Sequence, residues 1–378
     1  MRLSRIAVAG AAAVTLLGLG VPSASASTPS ASSLAWQAVP LPSLGSALLE
    51  GLSALGPADA WAAGFYTDDD PLLLHWNGAA WSAEPTPGIP DGVNLQGIDA
   101  RSDTDILADG VDTTTGNDVV YQFNGSAWTS LPPPSAADPG GPYGASFGPG
   151  GQIWAQGWIG GIPAFFKLTS AGWQTYPTGL TARGFTSEPL FVTPADAWSD
   201  GFTGLGTSAD SPLLLHYNGS AWSQAPAPPL PPTGVSGTLD GIVAPLGGPL
   251  TLSGNWQPCS FGEVCSSSPF VVTGSGTSWT SEPVPSSVLA VSGLSPNLAG
   301  QPQWMTARTS DTTSSYYLHY SAGTWTLVPG VAITGETSPE MTVVHIPGTN
   351  SSWAVGYAQD GASAGSFAPR IEVNGNLP

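Results

Sequence analysis

The chain has 378 residues, of which 26 are acidic and only seven are Lys or Arg, for a formal net charge of −19 at pH 7. That balance excludes nucleic-acid binding, which needs clustered cations to displace counterions from phosphates, and it excludes electrostatic docking on anionic lipid. Acidity of this degree serves solubility and could also attract cations or basic partners.

The first element is a leader. Arg2 and Arg5 precede an apolar run, IAVAGAAAVTLLGLGV, over residues 6–21, and Ala24-Ser25-Ala26 supplies the small residues of a signal-peptidase site. The apolar run is shorter than the roughly 20 residues needed to span a bilayer, and no later stretch is long and apolar enough to span. We expect residues 1–26 to be a removable signal peptide, and residues 27–378 to form one secreted, extracellular domain. That domain keeps five basic residues against all 26 acidic ones.

After the leader comes AWQAVP (35–40), then an apolar segment, LLEGLSAL (48–55). A GPADA turn leads into AWAAGFY, the acidic loop TDDDP follows, and then LLLHW, an Asn-Gly turn and a segment beginning at Trp81. This unit returns along the chain: PLLLHWNGAAWSAEP (71–85) reappears as PLLLHYNGSAWSQAP (212–226). Trp36, Trp81, Trp128, Trp173, Trp222, Trp279 and Trp325 each begin such a segment, at intervals of 45 to 57 residues. A second series, W-x-x-G, starts at Trp61, Trp154, Trp198 and Trp353, with Trp304 a looser copy. Repetition at this period marks a repeat architecture.

Each unit reads as four short strands, with Asn-Gly as a hairpin signal before the fourth. Strands that are apolar on successive residues need cover on both faces, and stacked blades of a β-propeller provide it. The two ends set the blade count. Asn374-Gly375 predicts a Trp four residues after the Asn, where the chain stops, while AWQAVP near the start has no unit of its own. The N-terminal strand therefore completes the last blade. The expected fold is all-β: a seven-bladed propeller of four-stranded blades, closed by the N-terminal strand.

This pattern resembles secreted bacterial propellers of the kelch and galactose-oxidase-like superfamily, over essentially all of residues 27–378. The turn YNGSAW (217–222) also resembles the Asp-box, the S-x-D-x-G-x-x-W turn of sialidase-type propellers. Here Asn stands in place of the Asp and the leading Ser is missing, and the paired glycines of kelch blades are absent too.

Candidate functional residues lie off the repeat. Trp256 falls outside both Trp series, in GNWQPCSFGEVC, the stretch that also carries Phe261, Cys259 and Cys265. In an exported chain the two cysteines are expected to pair, making a pinned loop with Trp256 and Phe261 as a contact surface. His75, His216 and His319 share one third-strand position, which marks them as structural. Asp59, Asp105 and Asp196 recur in first turns and are read as bonding their own backbone.

Other acids gather in the second-to-third-strand loops, among them Asp68, Asp69, Asp70 and Asp210. Those loops share a face with the blade crossings, where functional residues usually sit. Asp68–Asp70 could offer oxygens to calcium, although the spaced pattern of a calcium loop is missing. No other cofactor or metal is indicated. No Ser-His-Asp set, carboxylate pair, arginine cluster or Tyr-Glu pair is singled out for catalysis.

The expectation is a monomeric, non-catalytic binding protein that recognises an extracellular carbohydrate or cell-wall polymer through its acidic loop face. A protein-interaction or structural surface propeller is the first alternative, and a polysaccharide hydrolase the second.

Overall fold

The computed structural model describes residues 34–375, apart from 136, 139, 140, 232, 233, 260–265, 333, 362 and 364. The expected signal peptide, Phe261 and Cys265 therefore lie outside the described residues.

Seven antiparallel sheets follow one another along the chain. Blade 1 is β2 (Ala47–Gly56), β3 (Asp59–Tyr66), β4 (Pro71–Trp76) and β5 (Trp81–Glu84). Blade 2 is β6 (Val93–Ser102), β7 (Asp105–Asp112), β8 (Asn117–Phe123) and β9 (Trp128–Ser130). Blade 3 is β10 (Gly144–Gly148), β11 (Gln152–Ile159), β12 (Ile162–Thr169) and β13 (Gly172–Pro177). In blade 4 the inner strand is split into β14 (Gly184–Thr186) and β15 (Leu190–Thr193). Both parts pair with β16 (Asp196–Thr203), followed by β17 (Ser211–Tyr217) and β18 (Trp222–Ala225). The break includes Pro189, which has no N–H to give to a ladder.

Blade 5 is β19 (Ser236–Val243), β20 (Leu250–Gln257), β21 (Ser268–Ser275) and β22 (Ser278–Glu282). Blade 6 is β23 (Ala290–Pro296), β24 (Pro302–Arg308), β25 (Ser314–Ser321) and β26 (Thr324–Ala332). Blade 7 takes β27 (Glu336–His345), β28 (Ser352–Asp360) and β29 (Phe367–Asn374) from the C-terminal end of the chain. Its outer strand is β1 (Trp36–Ala38), which pairs Trp36 with Asn374 and Ala38 with Glu372. The ring closes as the chain ends imply.

Among the described residues the core divides into seven apolar clusters, one at each seam between neighbouring blades. This is the double coverage that the continuous apolar strands require. The repeated tryptophans fill the seams: Trp76 and Trp81 meet Trp353 edge-on between blades 1 and 7, and Phe165 stacks on Trp222 between blades 3 and 4. At the closing seam Trp36 stacks on Tyr317 at 4.0 Å and meets the edge of Trp304 at 5.2 Å.

Under that stack lies a buried charge. The Glu372 carboxylate accepts from Ser315 Oγ (2.6 Å), Tyr317 Oη (3.0 Å), Arg370 Nη2 (3.1 Å) and the Val331 N–H (3.2 Å). A buried anion with four donors is stably held, and one stripped of them would not be. These contacts join blades 6 and 7 beside the short N-terminal strand.

The W-x-x-G glycine has a steric reason. In blades 1, 2 and 5 the inner strand bulges, and its register slips at Glu50, Gln96 and Asp240. The bulge drives an inner-strand carbonyl against the second strand: a Cβ on Gly64 would sit 1.9 Å from Leu48 O, and one on Gly110 would sit 2.1 Å from Asn94 O. Blade 3 shows no register slip, and there the nearest atom to a Cβ on Gly157 is 3.2 Å away.

The Asn-Gly turns also resolve physically. Asn77, Asn124 and Asn218 each accept two backbone N–H groups, from the residues two and three positions ahead, through Oδ1. An amide oxygen can accept these bonds as a carboxylate does, so the turn closes with Asn in the place of an Asp-box Asp.

Candidate functional site

The strand order gives the ring two unlike faces. One carries the first-to-second and third-to-fourth turns. The other carries the second-to-third loops and the crossings between blades.

On the turn face the acids are engaged. Asp59 Oδ1 lies 3.0 Å from His75 Nε2, Asp196 Oδ1 lies 2.9 Å from His216 Nε2, and Asp105 accepts from Gln122 and pairs with Arg101. This corrects the expectation that these aspartates bond their own backbone. Each faces a side chain of the adjacent third strand, two residues out of register, a partner that sequence spacing does not reveal. The imidazoles of His75, His216 and His319 lie against Trp61, Trp198 and Trp304, with ring centroids 4.2 to 4.5 Å apart. These histidines are blade struts, as their repetition implies.

The loop face carries the acids of the second-to-third-strand loops. Asp311 is exposed and Asp112 half-buried, and each is held in its own loop by neighbouring threonines: the Thr114 and Thr115 N–H groups donate to Asp112, and Thr313 to Asp311. Those bonds keep both carboxyls below the usual range, and Tyr316 Oη adds to the effect at Asp311. Asp68, Asp69 and Asp70 form the tip of blade 1's loop. Asp69 takes a left-handed backbone and accepts from Asn94 of blade 2 at 3.0 Å. One of the three carboxylates thus serves a bond between blades. Among the described residues no group of three or more His, Cys, Asp or Glu is arranged to hold a metal.

Trp256 is not on a free loop. It is the penultimate residue of β20, half-buried, and paired with Gly237. Its ring lies against Gly234, where an added Cβ would come within 3.3 Å of Cε3, in the crossing that also carries Leu230. Cys259 follows two residues after the strand, half-buried. Asp210, at the end of blade 4's loop, is half-buried. Its backbone bonds Ser236 Oγ and the Gly237 N–H, fastening that loop to blade 5, and burial raises its carboxyl. The structure thus brings Trp256 and Asp210 together at the seam of blades 4 and 5, and places Asp68–Asp70 away from them on blade 1.

Sequence reading missed two features of this face. The first is aliphatic. Among the described residues the exposed large apolar side chains are Leu205, Val235, Leu246, Leu289 and Leu298. Three of them, Leu205, Val235 and Leu289, sit on loop-face segments of blades 4 to 6. The segments are stitched together: Val235 N–H donates to Gln257 O, Leu289 N–H to Arg308 O, and the Asn255 side chain bonds both N–H and C=O of Val291. No periodic signal announced these residues, because crossings carry none.

The second feature is the axial channel. The bulge residues Glu50, Gln96 and Asp240 are only partly buried on inner strands whose flanking residues are buried, so they face the channel. Blade 7 adds Glu340, exposed, whose carboxylate accepts from Tyr357 Oη at 2.9 Å. This is a Tyr-Glu pair that the sequence did not disclose, because its members lie 17 residues apart on neighbouring strands. Burial, with Glu50 and Glu340 nearby, raises the Tyr357 phenol far above its ordinary range. The phenol is a hydrogen-bond donor here and not an activated nucleophile. Burial lifts the Asp99 carboxyl to about 7 and the Asp240 carboxyl to about 6, the latter although Asn255 Nδ2 and Thr238 Oγ1 donate to it at 2.7 and 3.0 Å.

No protein-family model matches the chain, and no curated protein matches it in sequence. Solved structures match it in fold. The YCF48 structure bound to D1 peptide aligns over 91% of this chain and 97% of its own, with TM-score 0.55 and 11% identity. YCF48 from Cyanidioschyzon merolae aligns over 90% of this chain and 99% of its own, with TM-score 0.55 and 13% identity. The SapL1 lectin in complex with alpha methyl fucoside aligns over 86% and 95%, more loosely, with TM-score 0.42 and 10% identity. The chain is a seven-bladed β-propeller. At these identities the likeness is one of fold.

Proposed function

We propose that the protein is an exported, non-catalytic binding propeller of the secreted kelch-like kind, and that its loop face over blades 4 to 6 receives an extracellular polypeptide. The observation that carries this reading is the exposure of three aliphatic side chains, Leu205, Val235 and Leu289, on loop-face segments of blades 4 to 6. Sugar-binding surfaces rely on presented aromatic rings, whereas the large apolar side chains presented here are branched aliphatics, which suit apolar side chains of a protein. The solved complex of a similar fold with a peptide is in keeping with this use.

The test is binding of the purified chain to a glycan panel and to a peptide library in parallel. Saturable peptide binding that weakens about tenfold or more in a Leu205→Ser, Leu289→Ser variant supports the reading. Saturable glycan binding abolished by Trp256→Ala would replace it with a carbohydrate-binding function.

A further inference from the structure

Four Asn-Gly pairs occur in the chain: Asn77-Gly78, Asn124-Gly125, Asn218-Gly219 and Asn374-Gly375. The amide carbon of an asparagine is open to attack by the next residue's backbone nitrogen, and a glycine there, lacking Cβ, gives that nitrogen the freest approach. Three of the pairs share one geometry. Asn77, Asn124 and Asn218 are exposed to water on the turn face, and each Oδ1 accepts the N–H groups two and three residues ahead at 3.0 to 3.1 Å. The bond to the second residue closes a ring that contains both Cγ and the glycine nitrogen, which holds the two on one side of the turn. Gly78, Gly125 and Gly219 take φ of 89° to 90°, and among the described residues their N–H groups have no hydrogen-bond partner. At Asn124 and Asn218 the hydroxyls of Ser126 and Ser220 add a third donor to Oδ1 at 2.8 Å, where blade 1 has Ala79. Two other asparagines supply the contrast. Asn374 is only 2% exposed, and its Nδ2 donates to Ala35 O. Asn297 Oδ1 accepts two N–H groups, from Ala299 and Gln301 at 2.9 and 3.0 Å, but Leu298 follows it in place of glycine.

We propose that Asn77, Asn124 and Asn218 are self-modification sites, at which the native turn promotes conversion of the side-chain amide to a carboxylate. The glycine nitrogen gives up its proton to solvent base and bonds to Cγ. Negative charge moves onto Oδ1, where the converging N–H and hydroxyl donors receive it as an oxyanion hole does. The Cγ–Nδ2 bond then breaks, and ammonia leaves with a proton from water that balances the one given up. Water opens the cyclic imide that remains. Opening at Cγ restores the peptide and yields aspartate; opening at the main-chain carbonyl yields an isoaspartyl linkage, with one more carbon in the backbone. Aspartate offers the same acceptor oxygen, so that product keeps the turn and adds a negative charge. The isoaspartyl product lengthens the chain just ahead of Trp81, Trp128 and Trp222, which fill seams between blades. Conversion therefore adds charge to the turn face as the protein ages, and its second product loosens the ring from that side.

The experiment is peptide mapping by mass spectrometry of the purified protein, incubated at mildly alkaline pH either folded or in urea. Each conversion reads as a gain of about 1 Da at a named asparagine. In the folded protein Asn124 and Asn218 are expected to convert at least about tenfold faster than Asn374 and Asn297, with Asn77 between them. In urea the four Asn-Gly pairs should convert within about twofold of one another, and more slowly than Asn124 and Asn218 do in the fold. Ser126→Ala and Ser220→Ala, both at exposed positions, should each slow their own site about threefold and leave the other site unchanged. The comparison of folded and unfolded protein needs no variant, so it stands even if a serine variant folds poorly. Slower conversion of the three sites in the fold than in urea would show that the turn protects them, and would overturn the proposal. Serine variants that convert at the unaltered rate would remove the donors from the reaction. Conversion of Asn297 as fast as Asn218 would remove the part given to glycine.

Discussion

Trp36→Ala tests ring closure most directly. The indole is only 6% exposed and lies against Tyr317 and Trp304 at the seam of blades 6 and 7. Its Nε1 is buried without a partner, so truncation forfeits area and ring contacts but no hydrogen bond. A buried ring of this size covers about 200 Å², which at about 25 cal/mol/Å² bounds the burial contribution near 5 kcal/mol. Large-to-small changes at such sites cost about 3–5 kcal/mol, and total stability is about 5–15 kcal/mol. With an unfolding entropy of about 2.1 cal/mol/K per residue, a loss of about 4 kcal/mol lowers Tm by roughly 6 °C in a ring of this length. The assay is thermal and urea unfolding of residues 27–378, followed by tryptophan fluorescence. Trp256→Ala, at a half-buried strand end, serves as the milder comparison. A Trp36→Ala shift no larger than that of Trp256→Ala would refute the closure energetics, and removal of residues 34–40 without loss of stability would refute closure itself.

Glu372→Gln should cost about 3 kcal/mol or more, because it leaves Arg370 short of an anion in a buried network; denaturation midpoints would measure it. Gly110→Ala should be destabilising by about 3 kcal/mol while Gly157→Ala is borne within about 1 kcal/mol, since only the former meets a carbonyl at 2.1 Å. Asp99, lifted to about 7, binds a proton in the folded ring that the unfolded chain releases near pH 4. Its contribution is therefore fully present below about pH 4 and falls by about 4 kcal/mol as pH rises to about 7, with Asp240 acting in the same direction up to about 6. His319 and His345, lowered by burial, act oppositely below about pH 6.5. Asp99→Asn should flatten the fall in Tm between pH 4 and 7; an unchanged slope would locate the proton elsewhere.

The blade number, the closure by AWQAVP and the place of each repeated Trp were legible because repeats make one-dimensional statements. A residue type recurring every 45 to 57 positions must occupy one site in each copy, and an unmatched fourth strand at one end must complete the other. The structural role of His75, His216 and His319 followed from the same logic. What the chain could not disclose were relations between copies. Asp59 meets His75, Tyr357 meets Glu340 and Glu372 meets Tyr317 only once strands are set side by side, because register decides them and spacing does not. Trp256 stood out as an irregularity in the repeat, but whether it was presented or packed depended on Gly234 in a neighbouring crossing and Gly237 on the paired strand. The surface proposed for binding belongs to the tertiary structure. Leu205, Val235 and Leu289 are far apart in sequence and carry no pattern, and they share a face because closing a ring of antiparallel blades gathers every crossing on one side.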